Sequence, residues 1–140
     1  MSIVIKTAEE IEKMRAAGKL AAQVLEMIAP YVKAGVTTNE LNDICAKYTE
    51  EQGAISAPLN YHGFPKSICT SLNNVICHGI PSDRVLKDGD ILNIDITVIK
   101  DGYHGDTSKM FLIGEVSPKD KRLCRIAQEL SLIHISEPTR

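Results

Sequence analysis

The chain has 140 residues, of which 44% are hydrophobic and 24% charged, a composition typical of one globular domain or a part of one. Its 16 basic and 18 acidic side chains are spread along the chain and give a formal net charge of -2. This balance excludes the basic surface that binds nucleic acid or anionic membranes, so neither is an expected partner. The start shows no signal-peptide pattern, and no apolar run approaches about 18 residues, which together predict a cytoplasmic protein.

The four cysteines are predicted to be structural. They show no CxxC spacing and lie among apolar residues, at Cys45, Cys69, Cys77 and Cys124. We therefore expect reduced, buried thiols and no disulfide framework.

Two capping boxes predict that two helices precede any strand. Thr7 with Glu10 opens a helix whose apolar side chains recur at helical spacing until Pro30. Thr37 with Glu40 opens a second amphipathic helix in the same way.

Strand-like runs and turn residues dominate the rest of the chain. They predict an ordered loop at 54–65, a hairpin of strands at 67–72 and 75–78, and a second hairpin of strands at 91–99 and 103–113. A last helix is predicted from Ser117, with Leu123, Ile126 and Ala127 on its inner face. This order of elements favours an α+β fold with a mostly antiparallel sheet and no domain linker.

Two aspartates of the second hairpin are candidate metal ligands. If Asp101-Gly102 is a two-residue turn, the register places Asp95 and Asp106 diagonally on one face, with backbones about 7 to 8 Å apart. Asp95 interrupts the apolar run ILNIDITVI, and two ionised carboxylates there repel unless a cation or proton lies between them. In the alternative, Asp106 bonds turn amides at Gly105 while Asp95 faces solvent, and spacing alone does not decide between the two.

His78 is a candidate catalytic residue because the following glycine and proline bend the chain just after the imidazole. A lone histidine is more often a structural group, so the sequence pattern leaves both readings open. His62 and His104 each precede a glycine and carry the same ambiguity.

Two longer segments resemble a known family. YHGFPKSICTSLNNVICHGIP at 61–81 and DILNIDITVIKDGYHGDTSKMF at 90–111 are similar to type I, bacterial-type methionine aminopeptidases, and the resemblance covers about residues 3–129. It implies the N-terminal half of a pita-bread (creatinase/aminopeptidase) fold. It also implies a cytosolic enzyme, monomeric when complete, that removes the initiator methionine from nascent chains with a small second residue near the ribosome.

The resemblance assigns roles to individual residues. The first aspartate of the hairpin binds one metal and the second bridges two, which carries over to Asp95 and Asp106. Two divalent ions, cobalt, manganese, iron or zinc, would hold a hydroxide that attacks the scissile carbonyl. His78 matches the histidine that contacts the scissile amide. The other matched positions are the substrate-binding residues Tyr61, Phe64, Cys69 and His78, the first three of which form a methionine pocket. Asn73 and Val75 match backbone sites for a monovalent cation.

The chain departs from the family pattern in two ways. Phe64 stands where a tyrosine is common, and Pro58 where a pocket cysteine is expected, which leaves the shape of the methionine pocket open. The family site also needs a histidine and two glutamates from a second half of the fold. Because the 140 residues do not supply these three ligands, we expect this chain to be inactive alone.

The last residues do not resemble the family. LSLIHISEPTR at 130–140 follows the family-like RIAQE abruptly and resembles a translated sequencing adapter. We therefore expect residues 1–129 to belong to the aminopeptidase domain and 130–140 to be a non-native tail in which His134 has no function. A natural divergent tail is the alternative.

Two other functions are compatible with the same fold. One is a non-catalytic, peptide-binding pita-bread module, whose expected signature is a replaced aspartate ligand. The other is a proline-specific metallopeptidase, which shares the paired aspartates. The presence of Asp95, Asp106 and His78 disfavours the first, and the segment at 61–69 favours the methionine enzyme over the second.

Overall fold

The computed structural model describes residues 3–136, with side chains described for residues 3–133. Its helices and strands are α1 (Ala8–Ile28), α2 (Thr38–Glu51), β1 (Ile55–Ser56), β2 (Cys69–Leu72), β3 (Ile91–Lys100), β4 (Tyr103–Leu112) and α3 (Pro118–Ser136), with 3-10 helices at Ala29–Tyr31 and Tyr61–Gly63. The architecture is α+β with an antiparallel sheet, as the sequence predicts. In this described part of the chain, no helix is long and apolar enough to cross a membrane.

Both predicted capping boxes are present. At the start of α1, the amide of Thr7 donates to Glu10 Oε2 at 2.7 Å and the amide of Glu10 donates to Thr7 Oγ1 at 3.3 Å. Thr37 and Glu40 repeat the arrangement at the start of α2, with distances of 2.7 and 3.1 Å. These bonds satisfy amides that have no partner within the helix and so fix where each helix begins.

β3 is the centre of the sheet. β4 pairs along the whole of one edge of β3, while β1 and β2 pair with successive parts of the other edge. Side chains on β3 alternate in burial, because successive residues of a strand point to opposite faces. The apolar face packs against α1 and carries four side chains that are at most 1% exposed, Leu92, Ile94, Ile96 and Val98.

The hydrophobic core lies between this apolar face and the two N-terminal helices. α1 contributes a buried stripe at the predicted helical spacing, and α2 contributes Leu41 and Cys45. The stripe of α1 consists of Leu20, Ala21, Val24, Leu25 and Ile28. Because one face of the sheet is committed to this core, the opposite face is left for polar side chains.

The predicted first hairpin is wrong. β2 pairs with β3, and residues 75–78 form no strand. Asn73 and His78 both have φ of 52°, a left-handed conformation that a strand does not contain, and Ile76 between them is 95% exposed. The chain returns to β2 only at Gly79, whose carbonyl accepts from the amide of Thr70 at 2.7 Å.

Two burial predictions also fail. All four cysteines are free, and Cys45 and Cys69 are buried as predicted. Cys124 is only partly buried, and Cys77 is exposed because it lies in the loop that replaces the predicted strand. In α3, the predicted inner face is largely outside the core, with Leu123 60% exposed. Of the other two residues of that face, Ile126 is partly buried and Ala127 is exposed. The cause is that α1 and α2 close the core, and no described residue of α3 belongs to it.

The loop predicted at 54–65 contains more regular structure than expected, namely β1 and the second 3-10 helix. The domain boundary predicted at residue 129 stays a prediction, and α3 runs across it. The side chain of His134 and all of residues 137–140 lie outside the described part of the chain.

Gly105 allows β4 to approach α1. A Cβ added at this position would lie 2.1 Å from the carbonyl oxygen of Ala17, a distance at which backbone has to move. One residue along α1, a Cβ added at Gly18 would meet nothing within 4 Å. The structure therefore has room for a side chain at Gly18 but not at Gly105.

We expect Gly105→Ala to lower the free energy of unfolding by about 1 to 3 kcal/mol, because overpacking displaces β4 from α1. Gly18→Ala is the matched control, and it should raise the free energy of unfolding by about 0.5 to 1 kcal/mol through helix propensity. Urea denaturation followed by circular dichroism measures both. Equal stability of the Gly105→Ala chain and the parent would contradict the close approach.

Candidate metal centre

Asp95 and Asp106 lie on the polar face of the central hairpin, in the register predicted from the sequence. Asp95 is opposite Ser108, and Thr97 is opposite Asp106. The two aspartates are therefore diagonal neighbours on one face, a placement that brings cross-strand carboxylates within reach of each other. On the other edge of β3, Cys69 of β2 is opposite Asp95.

The two carboxylates line a cavity of about 720 Å³. The sheet contributes its floor, the loop before β2 contributes an apolar and aromatic wall, and His78 and Ile80 contribute the side that follows β2. The floor consists of Cys69, Asp95, Thr97, His104 and Asp106, and the wall of Ala57, Pro58, Tyr61, His62, Gly63, Phe64 and Pro65. The arrangement is a mostly apolar recess with acidic groups at its base, the usual form of a small-ligand site.

The environment of Asp95 opposes its ionisation. Burial raises its pKa, and the charge of Asp106 together with a hydrogen bond between the two carboxyl groups raises it further, while nearby His78 acts in the opposite direction. Asp95 is partly buried. This geometry disfavours the alternative in which Asp95 faces solvent. Two carboxylates in such contact are stabilised by a shared proton or cation.

The three candidate histidines all line the cavity. His78 is exposed and lies near enough to Asp95 to influence its ionisation. His62 and His78 both have positive φ, 48° and 52°, so each imidazole is carried on a turn and not on a strand. His104 lies two residues before Asp106 on β4 and therefore shares its face.

The residues matched to a methionine pocket are brought together by the fold. Tyr61, Phe64 and Cys69 line the same cavity, as does Pro58. Burial, followed by the charges of Asp95, Cys77 and Asp106, raises the pKa of the Cys69 thiol to about 11. Cys69 is therefore a neutral, polarizable group at neutral pH, suited to contact with an apolar side chain.

Asn73 and Val75 lie away from the cavity lining. The side chain of Asn73 is already used, since its Nδ2 donates to Asp90 at 2.9 Å and its Oδ1 accepts from the amide of Ile91 at 3.0 Å. A monovalent cation at this turn would be bound by the backbone carbonyls of Asn73 and Val75. The monovalent cation site stays a prediction.

The described residues supply part of a metal centre. Among residues 3–133, no group of three or more histidine, cysteine, aspartate or glutamate side chains is placed to hold a metal ion. Asp95 and Asp106 offer carboxylate oxygens, which suit divalent ions such as manganese and iron. The donor chemistry fits a divalent metal, and the number of donors is two.

Several cavity residues were not singled out from the sequence. Thr97 could have been found, because it lies two residues after Asp95 in a strand and must share its face. Ala57 is held beside it by a hydrogen bond from its amide to the carbonyl of Thr97 at 2.9 Å. That contact, and the return of Ile80 toward the cavity, depend on tertiary structure and leave no local signal.

Comparisons with known proteins identify the family of this chain. Residues 12–137 match the sequence profile of metallopeptidase family M24. Methionine aminopeptidase of Escherichia coli K12 is 66% identical over 131 residues, which cover 92% of this chain and 50% of the relative. The crystal structure of methionine aminopeptidase from Rickettsia prowazekii superposes with a TM-score of 0.92 at 56% identity, covering 94% of this chain and 53% of that one.

A more distant structure shares the same fold. Xaa-Pro dipeptidase from Bacillus anthracis superposes with a TM-score of 0.80 at 27% identity, over 91% of this chain and 35% of that chain. The chain belongs to metallopeptidase family M24. Within this family it corresponds to the N-terminal half of methionine aminopeptidases, and it spans about half the length of the relatives it matches.

We expect Asp106→Asn to stabilise the metal-free chain at neutral pH by roughly 0.5 kcal/mol, the scale of partly exposed charge pairs. The folded state raises the pKa of Asp95, so it binds a proton more tightly than the unfolded state does. The free energy of unfolding therefore decreases as pH rises from the pKa of Asp95 in the unfolded chain to its raised pKa in the folded chain. Removing the charge of Asp106 removes the repulsion that destabilises the folded chain at neutral pH.

Asp101→Asn is the matched control, because it removes a carboxylate from the turn of the same hairpin at a φ of 51° that asparagine tolerates. Chemical denaturation in the presence of a chelator, at pH 4 and pH 7, compares the three chains. A loss of stability at pH 7 in Asp106→Asn alone would contradict the repulsion.

Proposed function

We propose that this chain is the part of a methionine aminopeptidase that supplies two metal-binding carboxylates, a catalytic histidine and the pocket for the N-terminal methionine. The complete enzyme would remove the initiator methionine from nascent proteins whose second residue is small. The observation that carries this proposal is the diagonal placement of Asp95 and Asp106 at the floor of a recess flanked by His78. The 66% identity to an Escherichia coli methionine aminopeptidase supports it.

Family M24 implies divalent metals, and the pair of aspartates is where this chain would hold them. We propose Asp95 as the ligand of one ion and Asp106 as the ligand shared by two. Manganese, iron and cobalt suit such oxygen donors, and zinc is compatible. When bound, such ions supply Lewis acidity that activates water and polarises a peptide carbonyl.

The residues of this chain would bind and orient the substrate. The methionine side chain would lie against Tyr61, Phe64 and the neutral thiol of Cys69, with the thioether in an apolar, polarizable environment. His78 would hydrogen-bond the scissile peptide and stabilise the charge that develops on it. Phe64 and Pro58, which stand where the family pattern has a tyrosine and a cysteine, would change the shape of this wall.

The chain spans about half the length of the methionine aminopeptidases that it matches. We therefore propose that residues 1–129 act together with a histidine and two glutamates of a second half, and that 130–140 take no part. Nascent N-termini in the cytoplasm, near the ribosome, would be the substrates of a monomeric enzyme. Nucleic acid and membranes are not proposed as partners.

The test joins residues 1–129 to the C-terminal half of the Escherichia coli methionine aminopeptidase and compares the product with the 140-residue chain. With added manganese or cobalt, we expect the joined protein to release methionine from Met-Ala-Ser and the 140-residue chain to release none. Methionine release by mass spectrometry measures both. Turnover by the 140-residue chain would contradict the account of the missing ligands.

In the joined protein, Asp95→Asn and Asp106→Asn should each lower kcat/KM at least a hundredfold because each removes a charged metal ligand. His78→Ala should lower kcat by roughly a hundredfold, as for loss of one stabilising hydrogen bond in a transition state. Asp101→Asn is the control and should retain full activity. Faster cleavage of an Xaa-Pro peptide than of Met-Ala-Ser would instead support the proline-specific alternative.

A further inference from the structure

The carboxylate of Asp90 is buried outside the cavity, with only 7% of the residue exposed. A buried charge is costly unless hydrogen bonds and opposite charges compensate it. Asp90 has both, since its carboxylate accepts from the amide of Lys87 at 2.9 Å and from Asn73 Nδ2 at 2.9 Å. Arg84 approaches the same carboxylate at 3.3 Å. The site is therefore a fully built polar cluster, and none of the residues assigned to catalysis belongs to it.

The partner that Asp90 holds most directly is Asn73, the first residue after β2. The amide of Asn73 donates to the carbonyl of Ile91 at 2.9 Å, and the amide of Ile91 donates back to Asn73 Oδ1 at 3.0 Å. Asn73 adopts a φ of 52°, a left-handed conformation that costs free energy for most residues. Asn73 Nδ2 also donates to Asp90. Together, the hydrogen bonds to Ile91 and Asp90 compensate the cost of the left-handed conformation and fix the direction in which the chain leaves the sheet.

In the loop that follows, the amide of Val75 donates to the carbonyl of Leu72 at 3.0 Å, and no further backbone hydrogen bond is described before Gly79. Residues 74–78 are exposed, and Ile76 is almost fully so. At the far end, the carbonyl of Gly79 accepts from the amide of Thr70, and the amide of Gly79 donates to Ser71 Oγ at 3.1 Å. His78 is the last residue of this loop, so its position is set by the two ends.

We propose that Asp90 is a positioning residue for His78. Its carboxylate, acting through Asn73, orients residues 74–78 so that the imidazole reaches the cavity beside Asp95. The catalytic value of that placement rests on the proposed function, whereas the placement itself does not. The proposal assigns to the buried cluster a role in the geometry of the site, in addition to its contribution to stability.

The experiment uses two variants of the 140-residue chain that weaken the contact between Asp90 and Asn73 from opposite sides. Asp90→Asn removes the charge, and Asn73→Gly removes both side-chain bonds while keeping a residue that tolerates positive φ. Asp88→Asn is the matched control, because Asp88 lies two residues away and bonds the amide of Glu115 at 2.9 Å, at the end of β4. NMR on each chain follows the amide of Thr70 and the imidazole of His78.

We expect Asp90→Asn and Asn73→Gly each to speed hydrogen exchange at the Thr70 amide by roughly tenfold relative to the amides of β3 and β4. Both variants should shift the His78 imidazole signal in the same way, and the double variant should add little to either one. Asp88→Asn should leave both signals unchanged. Faster exchange confined to Ile91, uniform acceleration across the sheet, or an unmoved His78 signal would overturn the proposal.

The joined protein provides the catalytic arm. There Asp90→Asn should lower kcat by about tenfold while KM changes less than twofold, because the histidine is displaced and the methionine pocket is not. An unchanged kcat would overturn the positioning role. If the unmodified joined protein has no aminopeptidase activity, the proposed function fails, and the NMR comparison still decides whether Asp90 places His78.

Discussion

The two-residue turn at Asp101 and Gly102 sets the register of β3 and β4, and the rest of the site depends on that register. Both residues have positive φ, 51° and 81°, the conformation whose twist matches that of the flanking strands. Because side chains alternate along a strand, a slip by one residue would carry Asp106 to the core face and Thr107 to the cavity. The buried face therefore enforces the register that brings the carboxylates together.

The same constraint explains why a strand can carry a costly pair of charges. The apolar face of β3 is packed against α1, and Gly105 lets β4 come into direct contact with the backbone of Ala17. This packing holds both strands whatever their polar face contains. Asp95 and Asp106 can then be kept close despite their repulsion, and the free energy that they lose in the metal-free chain is available to favour a bound cation.

The sequence predicts the parts of this structure that depend on local chemistry. The capping boxes at Thr7 and Thr37, the hairpin turn and the face shared by the two aspartates all follow from residues close together in the chain. The prediction of a strand at 75–78 is wrong because a run of apolar residues does not reveal the left-handed conformations of Asn73 and His78. Cys77 was expected to be buried for the same reason.

The cavity wall lay beyond sequence reasoning for another reason. The resemblance identified Tyr61, Phe64 and Cys69, but Ala57 reaches the cavity only because β1 pairs with the end of β3. Such a contact joins residues about 40 positions apart, and its formation depends on packing rather than on any pattern within either segment. Local chemistry thus predicts the floor of the site better than its wall.

The site combines two supports of unequal rigidity. The carboxylates sit on two fully paired strands, of which β3 buries its opposite side chains and β4 packs closely on α1 at Gly105, so they have little freedom to move apart. His78 sits on an exposed loop with polar contacts at both ends, and we propose that the buried carboxylate of Asp90 helps to place it. Metal ligands tolerate little displacement, whereas a histidine that meets a substrate has to let that substrate enter and leave. The division of the site between a hairpin and a loop is consistent with the roles that we propose for these residues.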